Sequence, residues 1–347
     1  MLGYLYNLAM DKYRGPIAGA IKVFLYLISL IYGLFVRIVI FIRGLSPRRP
    51  ACKVVSVGNI TLGGTGKTPL VLYIARYLKD KGRKVAIVSR GYNRGRGTMG
   101  DEPYMLKINL EDIPVIVDPD RIRAVNYAIR GHGVDTVILD DGMQQWGIRK
   151  DLEIVAIDGS RLFGNRRLIP RGILREPLSS LKRADIFLLT KSDLGPGAGE
   201  ARGVLERINS KALQVESVHS PSGFYRLDKP AEPLSAEGLS GRSAALFSAI
   251  ADPGSFELLA ARLGVKVSAS FRFRDHHNYT QKDIDGIMHK SRQMNIEVLL
   301  TTEKDAARLR QLPDFDYGIP VWFLRVQLKI TKNEERFRDR LLGLYTH

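Results

Sequence analysis

The sequence predicts an α/β fold with a doubly wound parallel sheet, a second, smaller α/β domain and an apolar N-terminal helix. Short apolar runs that end in polar residues recur between helical segments, as in "KVVSVGN", "KVAIVSR", "VDTVILDDG" and "ADIFLLTKSD". Strands that alternate with helices form parallel sheets, whose sites lie at the carboxyl ends of the strands. A second alternating series, with "SAALFSAI" and "EVLLTTEKD", predicts the smaller domain.

Domain boundaries are placed where the composition changes. Loop signals such as "GPGAGEARG" and "SPSGF" separate the two alternating regions, and "IPVWFLRVQLKI" alternates like a β-strand. The prediction is an apolar helix with a basic linker over 1–50, a first α/β domain over 51–213, a two-strand connector made of 214–227 and 319–330, a smaller α/β domain over 228–318, and a C-terminal helix over 331–347.

Composition narrows the classes of partner. The chain has 347 residues and a formal net charge of +17, which favours polyanionic partners such as nucleic acid, anionic lipid or phosphorylated substrates. Cys52 is the single cysteine. An internal disulfide and a cysteine-based zinc cluster are therefore excluded, and a reducing compartment is expected.

The apolar run from Val23 to Ile42 predicts a membrane-associated helix. A helix of about 20 residues is about 30 Å long, which matches the hydrocarbon core of a bilayer. A cleaved signal peptide is not expected, because the run is long and no A-x-A site follows it. Basic residues directly after the run favour placing the following domain on the cytoplasmic side of the membrane. A buried core helix is the alternative, and the run itself leaves open whether the helix spans or lies in one leaflet.

A phosphate-binding loop is predicted between the first strand and the first helix of the 51–213 domain. The stretch "TLGGTGKT" comprises Thr61, Leu62, Gly63, Gly64, Thr65, Gly66, Lys67 and Thr68. It fits the end of the pattern G-x-x-x-x-G-K-[ST], with Thr61 in place of the first glycine. Lys67 supplies the charge for the β- and γ-phosphates, and the Thr68 hydroxyl is a ligand for Mg²⁺. The first domain is therefore predicted to be a P-loop-type nucleotide-binding domain.

Two aspartates at the end of a buried strand complete the predicted metal site. Asp140 and Asp141 close "VDTVILDDG". Adjacent carboxylates at a strand end are costly for packing alone, because like charges repel and burial desolvates them. Together with the phosphate loop, the two aspartates predict Mg²⁺ binding. The alternative is that they only cap a helix or stabilise a turn.

Three further segments carry chemistry with a weaker signal. "LTKSD" at 189–193 resembles the element by which many GTPases recognise guanine, although a strand end entering a polar loop explains it as well. "RFRDHHNYT" places Asp275 beside His276, a combination suited to proton transfer near neutral pH. In "RLIPRGILREPL", Arg171 and Arg175 lie in a Gly/Pro-bearing loop, where phosphate contacts are expected.

In order along nearly the whole chain, "VGNITLGGTGKTP", "SRGY", "GDEP", "DPDR", "LDDG", "LREPL", "LLTKSD", "FRDHHNY" and "TTEKDA" resemble the lipid A tetraacyldisaccharide 4′-kinase family. The resemblance implies transfer of the γ-phosphate of ATP to the 4′-hydroxyl of a membrane-embedded tetraacyldisaccharide 1-phosphate. It implies a membrane surface as partner, with no nucleic acid and no obligate protein partner. Thr61 agrees with the family, whose loop commonly lacks its first glycine.

The resemblance also implies roles for individual residues. Asp120 and His276 would form an acid–base dyad, and Arg175 would lie near the transferred phosphoryl group, with Lys67 and Asp141 completing the catalytic set. The substrate side would be lined by Arg90, Tyr92, Glu102 and Arg171. The family reads DDGFQH where this chain reads "DDGMQQ", so Met143 and Gln145 depart from it.

Two other functions compete at this level. A membrane-anchored P-loop GTPase or ATPase switch is suggested by "TKSD", and a nucleic-acid-binding ATPase is suggested by the charge of +17. The first would prefer GTP, and the second would bind DNA with a steep salt dependence.

Overall fold

A computed structural model describes residues 8–91, 100–194, 197–230, 232–310 and 318–346. By its internal contacts the chain divides into two units. Unit 1 comprises Met1–Arg90, Leu110–Val218 and Lys329–His347, and unit 2 comprises Gly91–Asn109 and His219–Leu328.

Unit 1 contains the predicted parallel sheet. Its strands are β1 (Lys53–Gly58), β2 (Val85–Ser89), β3 (Val115–Val117), β4 (Thr136–Asp140), β5 (Leu152–Asp158), β6 (Ile186–Thr190) and the start of β7 (Leu213–Arg226). They lie in the order β3-β2-β4-β1-β5-β6-β7, and each neighbouring pair is parallel. The change of direction around β1 is the doubly wound topology, and it confirms the predicted fold class.

Helices and short 3₁₀ turns connect these strands. Unit 1 includes α1 (Pro16–Gly44), α2 (Lys67–Asp80), α4 (Arg121–His132), α5 (Gly197–Ile208) and α9 (Glu334–Leu342), with 3₁₀ turns at Leu178–Arg183 and Gly343–Tyr345. The α4 side chains Ala124 and Val125 pack with strand residues such as Val88. The α5 side chains Ala201 and Leu205 pack with others, such as Phe187. Strands covered in this way have almost wholly buried side chains, which explains their continuous apolar sequences.

Helix α1 has one narrow buried stripe and otherwise exposed apolar faces. The stripe comprises Ala18, Leu25, Ser29, Gly33 and Val36, which recur at helical spacing. Many large apolar side chains elsewhere on the helix are exposed, among them Phe24, Ile31 and Phe35. The helix is long and apolar enough to cross a membrane by length and composition. A helix packed on one stripe and apolar all round suits contact with protein on one side and lipid on the others.

Unit 2 contains a second set of parallel strands. These are β8 (Ser243–Ser248), β9 (Lys266–Arg272), β10 (Val298–Thr302) and most of β11 (Val321–Lys332), in the order β11-β10-β8-β9. The helices are α3 (Asp101–Asn109), α6 (Pro253–Arg262), α7 (Gln281–Gln293) and α8 (Glu303–Leu309). Strands β7 and β11 carry the chain from one unit into the other.

Helix α3 lies within the predicted 51–213 domain along the chain, yet its contacts place it in unit 2. The amide of Asn109 donates to the Glu303 carboxylate at 3.0 Å, and the Arg308 Nε donates to Asp101 at 2.7 Å. Both partners belong to α8, so polar contacts between α3 and α8 hold the helix in unit 2.

Candidate active site

The phosphate loop leaves its backbone open to a ligand. Gly66 has a φ of 78° and ends the loop directly before α2, while Gly63 has a φ of 105°. These are left-handed conformations that glycine adopts without strain. Apart from each glycine's chain neighbours, no heavy atom of the described residues lies within 4 Å of a Cβ built on Gly63 or Gly64. The loop therefore offers backbone N–H groups and a helix N-terminus to an anion.

Three side-chain hydrogen bonds hold the loop in place. Buried Asn59 donates from Nδ2 to the Thr61 carbonyl at 2.7 Å and accepts at Oδ1 from Lys67 Nζ at 3.0 Å. Thr190 Oγ1 donates to the Thr65 carbonyl at 3.0 Å. Lys67 is thereby held beside the loop, while Leu62 is 43% exposed at its tip.

The "TKSD" segment contacts the phosphate loop through Thr190. Besides the Thr190 hydrogen bond, Lys191 Nζ lies 3.0 Å from Asp158 Oδ2, and both side chains are buried. The Thr190 hydrogen bond supports the loop from β6, and the ion pair joins the end of β5 to the residue that follows β6.

Asp141 is the centre of a cluster of opposite charges. Lys67 Nζ lies 3.4 Å from its Oδ1, and Arg175 Nη1 donates to both carboxylate oxygens at 2.9 and 3.0 Å. Burial would raise the pKa of Asp141, but Lys67 and Arg175 outweigh burial and hold that pKa below its ordinary value. Asp141 is therefore an anion next to the loop.

Asp140 lies at the same edge of the sheet. It is the last residue of β4 and is in register with Val57 of β1, the strand that leads into the phosphate loop. Its carboxylate is buried and accepts from the Ser89 hydroxyl at 3.0 Å. Thr68 follows Lys67 as the second residue of α2. Two carboxylates and a hydroxyl at one strand edge are the oxygen ligands that Mg²⁺ prefers.

Arg175 reaches this edge because its own segment pairs with the loop. The Arg175 N–H donates to the Ile60 carbonyl, and the Leu62 N–H donates to the Ile173 carbonyl, both at 2.8 Å. Arg175 Nη1 also donates to the Gln144 side chain at 3.1 Å. The structure thus brings Lys67, Asp141 and Arg175 together, as the sequence predicts for a phosphate site.

The predicted substrate-side residues have different surroundings. Arg171 donates from Nη2 to the Asp11 carboxylate at 2.8 Å, so its guanidinium is engaged by the segment before α1. Arg90 is exposed just beyond β2. Glu102 pairs with Lys304 at 2.9 Å in unit 2. Tyr92 lies outside the described residues.

Unit 2 contains a second polar cluster, centred on His276. This residue has a φ of 61°, and its N–H donates to the Ala249 carbonyl at 3.1 Å. Its Nδ1 lies 3.0 Å from Asp101 Oδ2, and Lys304 Nζ lies 3.3 Å from its Nε2. A carboxylate on one ring nitrogen fixes the tautomer and the orientation of an imidazole. The arrangement leaves the lone pair on Nε2.

Asp101 stays ionised beside this imidazole. Burial would raise its pKa, but hydrogen bonds from His276 and Arg308 and the charge of Lys304 together hold that pKa below the ordinary value. The Arg308 guanidinium is itself fixed, since Nη1 donates to the Ala249 carbonyl and to Asp305, both at 2.8 Å.

The carboxylate partner of His276 therefore differs from the predicted one. Asp120 lies in unit 1 as the N-cap of α4, where its side chain accepts from the N–H groups of Ile122 and Arg123. A carboxylate in this position is already engaged in holding a helix end. The signal for Asp101 was present in "GDEP", but sequence spacing does not show which aspartate of the chain meets the histidine.

The departure from DDGFQH has a structural explanation at Met143. Its side chain is fully buried and belongs to the core that includes Val155 and Leu189. A Cβ built on Gly58 would lie 2.4 Å from the Met143 Cβ, so the backbones pass very close there. Methionine thus fills an apolar core position. No hydrogen bond of the Gln145 side chain accounts for that substitution among the described residues.

Comparison with known proteins finds similarity along most of the chain. The family model for tetraacyldisaccharide-1-P 4′-kinase matches residues 21–346. A tetraacyldisaccharide 4′-kinase of Halothermothrix orenii is 33% identical over 364 residues, covering 94% of each chain. One of Anaeromyxobacter dehalogenans is 37% identical over 286 residues, covering 77% of this chain and 75% of its own. The crystal structure of the "apo" form of LpxK from Aquifex aeolicus in complex with ATP superposes with a TM-score of 0.74 at 26% identity, covering 94% of this chain and 99% of that one.

Proposed function

This chain belongs to the tetraacyldisaccharide-1-phosphate 4′-kinase family, and we propose how its residues divide the work of that reaction. It is a lipid kinase of lipid A biosynthesis that transfers the γ-phosphate of ATP to the 4′-hydroxyl of a tetraacyldisaccharide 1-phosphate. The observation that carries the residue assignment is the cluster of Lys67, Asp141 and Arg175 beside an open phosphate loop.

The loop and two cations bind the phosphates of ATP. The backbone N–H groups of 63–68 and the N-terminus of α2 would face the anion, and Lys67 adds a point charge. Arg175 adds a planar donor group near Lys67 through their shared partner Asp141. Phosphoryl transfer depends mainly on positioning and on neutralising charge at the transferred group, which is what two fixed cations supply.

Thr68, Asp140 and Asp141 would hold Mg²⁺. In the described part of the chain no group of three or more His, Cys, Asp or Glu side chains forms a complete metal site. A pair of carboxylates with a hydroxyl nevertheless fits Mg²⁺, which usually binds through one or two carboxylates together with substrate phosphates and water. When bound, the ion neutralises phosphate charge.

His276 is the proton acceptor, and Asp101 orients it. With Nδ1 hydrogen-bonded to Asp101, Nε2 carries the lone pair, which faces Lys304 Nζ at 3.3 Å and would take the proton of the attacking 4′-hydroxyl once the substrate replaces that contact. The ionised Asp101 stabilises the imidazolium that forms. General-base assistance of this type contributes typically 10²–10⁴-fold to the rate.

The membrane helix and the remaining residues serve the lipid. The exposed apolar faces of α1 would enter the cytoplasmic leaflet of the inner membrane, where the disaccharide lies. Arg90, Tyr92, Glu102 and Arg171 would line the substrate side. The excess of basic residues would then attract a phosphorylated lipid and an anionic membrane surface. Neither nucleic acid nor an obligate protein partner is expected.

A transfer assay tests the proposal. Full-length protein in detergent micelles, given ATP labelled at the γ-phosphate, Mg²⁺ and the disaccharide 1-phosphate, should label the lipid. Competition with unlabelled ATP should suppress labelling more than competition with GTP. A clear preference for GTP, or no labelled lipid from folded protein, would overturn the assignment in favour of the switch suggested by "TKSD".

A further inference from the structure

Helix α1 is packed against the segment that presents Arg175. We call residues 165–176 the arginine segment. Tyr32 of α1 donates from its hydroxyl to the Arg175 carbonyl at 2.8 Å. At the next residue, Gly33 of the buried stripe, a built Cβ would lie 2.7 Å from Leu168 Cδ1. The helix and the arginine segment are therefore in close contact.

The same segment is held on its other side by the phosphate loop. The Arg175 N–H donates to Ile60, and the Arg175 carbonyl accepts from Tyr32. Both backbone polar groups of Arg175 are thus engaged, one by the residue that precedes the phosphate loop and one by α1. The side chain between them reaches Asp141 at 2.9 Å. The location of the guanidinium consequently depends on the hydrogen bond from Tyr32.

The surroundings of Tyr32 favour this hydrogen bond. A tyrosine phenol is neutral at physiological pH and can therefore act as the donor. Glu176, the next residue of the arginine segment, is buried and pairs with Arg183 at 2.8 Å. A neutral hydroxyl that donates to a backbone carbonyl on a partly buried surface makes a directional contact which water replaces poorly.

We propose that Tyr32 is a positioning residue for phosphoryl transfer: it holds the backbone of Arg175 so that the guanidinium faces the phosphate loop. The inference rests on the proposed role of Arg175. Because Tyr32 lies on the helix whose other faces are exposed and apolar, the hydrogen bond links the location of a charged group at the phosphate site to the membrane-facing helix. A displacement of about 1 Å at a positioning contact can cost up to 10²-fold in rate.

Tyr32→Phe tests the proposal, with Tyr26→Phe as the matched control on the same helix. Tyr26 contacts the arginine segment through its ring, whose centroid lies 4.9 Å from Arg167 Cζ, so removing its hydroxyl keeps that contact. In the micelle assay, Tyr32→Phe is expected to lower kcat about tenfold while the KM for ATP changes less than about twofold. Tyr26→Phe should stay within about twofold of the wild type in both constants.

A double-mutant cycle separates positioning from general loosening. If Tyr32 acts through the Arg175 side chain, then Tyr32→Phe should cause no further loss of kcat in an Arg175→Ala background. A full additional loss in that background would overturn the proposal, because a merely structural role adds independently. Unchanged kcat for Tyr32→Phe alone would overturn it as well.

Hydrogen exchange gives a readout that does not depend on the lipid reaction. In Tyr32→Phe the amides of 173–176 should exchange faster, while those of α2 keep the wild-type rate. Unchanged exchange at 173–176 would overturn the inference even if the enzyme is active. Failure of the wild-type protein to label the lipid would instead overturn the proposed function, and the exchange experiment would still decide whether Tyr32 holds the arginine segment.

Discussion

Asp101→Asn is the most direct test of the site in unit 2. The substitution keeps the size of the side chain and removes its charge. Asp101 Oδ2 accepts from His276 Nδ1 at 3.0 Å and from Arg308 Nε at 2.7 Å, so both hydrogen bonds are charge-assisted. Asparagine has no negative charge to stabilise the imidazolium that forms during proton transfer. The substitution therefore removes more stabilisation from the transition state than from the ground state.

The magnitude follows from the strength of one such contact. A hydrogen bond to a charged group contributes about 1.5–3 kcal/mol, and each 1.36 kcal/mol corresponds to tenfold in rate. The expected loss in kcat is therefore about 10- to 150-fold. The KM for ATP should change less than about twofold, because the proposed role of Asp101 is in proton transfer and not in binding ATP. Initial rates in micelles with labelled ATP measure both constants, and thermal unfolding checks that the variant is folded.

Asp120→Asn is the matched control. Asparagine caps helices about as well as aspartate, so α4 should keep its N-terminus and the enzyme should keep its rate within about twofold. The double variant Asp101→Asn/His276→Ala should be no slower than His276→Ala, because residues that act as a unit are not additive. Loss of activity in Asp120→Asn together with a near-normal Asp101→Asn would refute the pairing deduced from the structure.

Three further outcomes are expected. Lys67→Ala should lower kcat by at least about 10²-fold while circular dichroism shows a folded protein, because it removes a charge fixed at the phosphate loop; near-full activity would contradict that role. Gly58→Ala should lower the unfolding free energy in urea by more than about 1 kcal/mol, since its Cβ would lie 2.6 Å from the Met143 backbone nitrogen; an unchanged midpoint would mean that the strands separate at little cost. The pKa of Asp141 is lowered from 3.8, so its ionised form stabilises the fold above that value, and this contribution is lost as the pH falls through the lowered pKa. Acid titration of stability should therefore be shallower in Asp141→Asn than in the wild type, and identical slopes would contradict the charge cluster.

The parts of the site that are continuous in sequence were predictable from the sequence. The loop 61–68 needs a strand before it, glycines within it and a helix after it, and all three can be recognised within one short stretch. Asp140 and Asp141 follow an apolar run whose length and pattern predict a buried strand, and parallel topology then brings the strand end to the loop. The apolar helix is likewise a local property of length and composition.

The pairings between distant segments were not predictable in the same way. His276 meets Asp101 across 175 residues of sequence, and Tyr32 meets Arg175 across 143. Asp101 and Asp120 are both candidates for the carboxylate partner of His276, and their spacing in the sequence does not distinguish them. The choice follows from the helix that each one begins: α4 packs within unit 1, whereas α3 bonds to α8 in unit 2.

The sequence by itself determined the α/β class, the phosphate loop with its threonine at position 61, the strand end with its two aspartates and the long apolar helix. Each of these depends on backbone preferences and apolar periodicity over a few neighbouring residues. Only the tertiary structure decided which carboxylate orients His276, that Arg175 and Lys67 share Asp141, and that α1 contacts the arginine segment through Tyr32. Such contacts depend on strand order and helix packing, which act on side chains far apart in the chain and leave no local pattern.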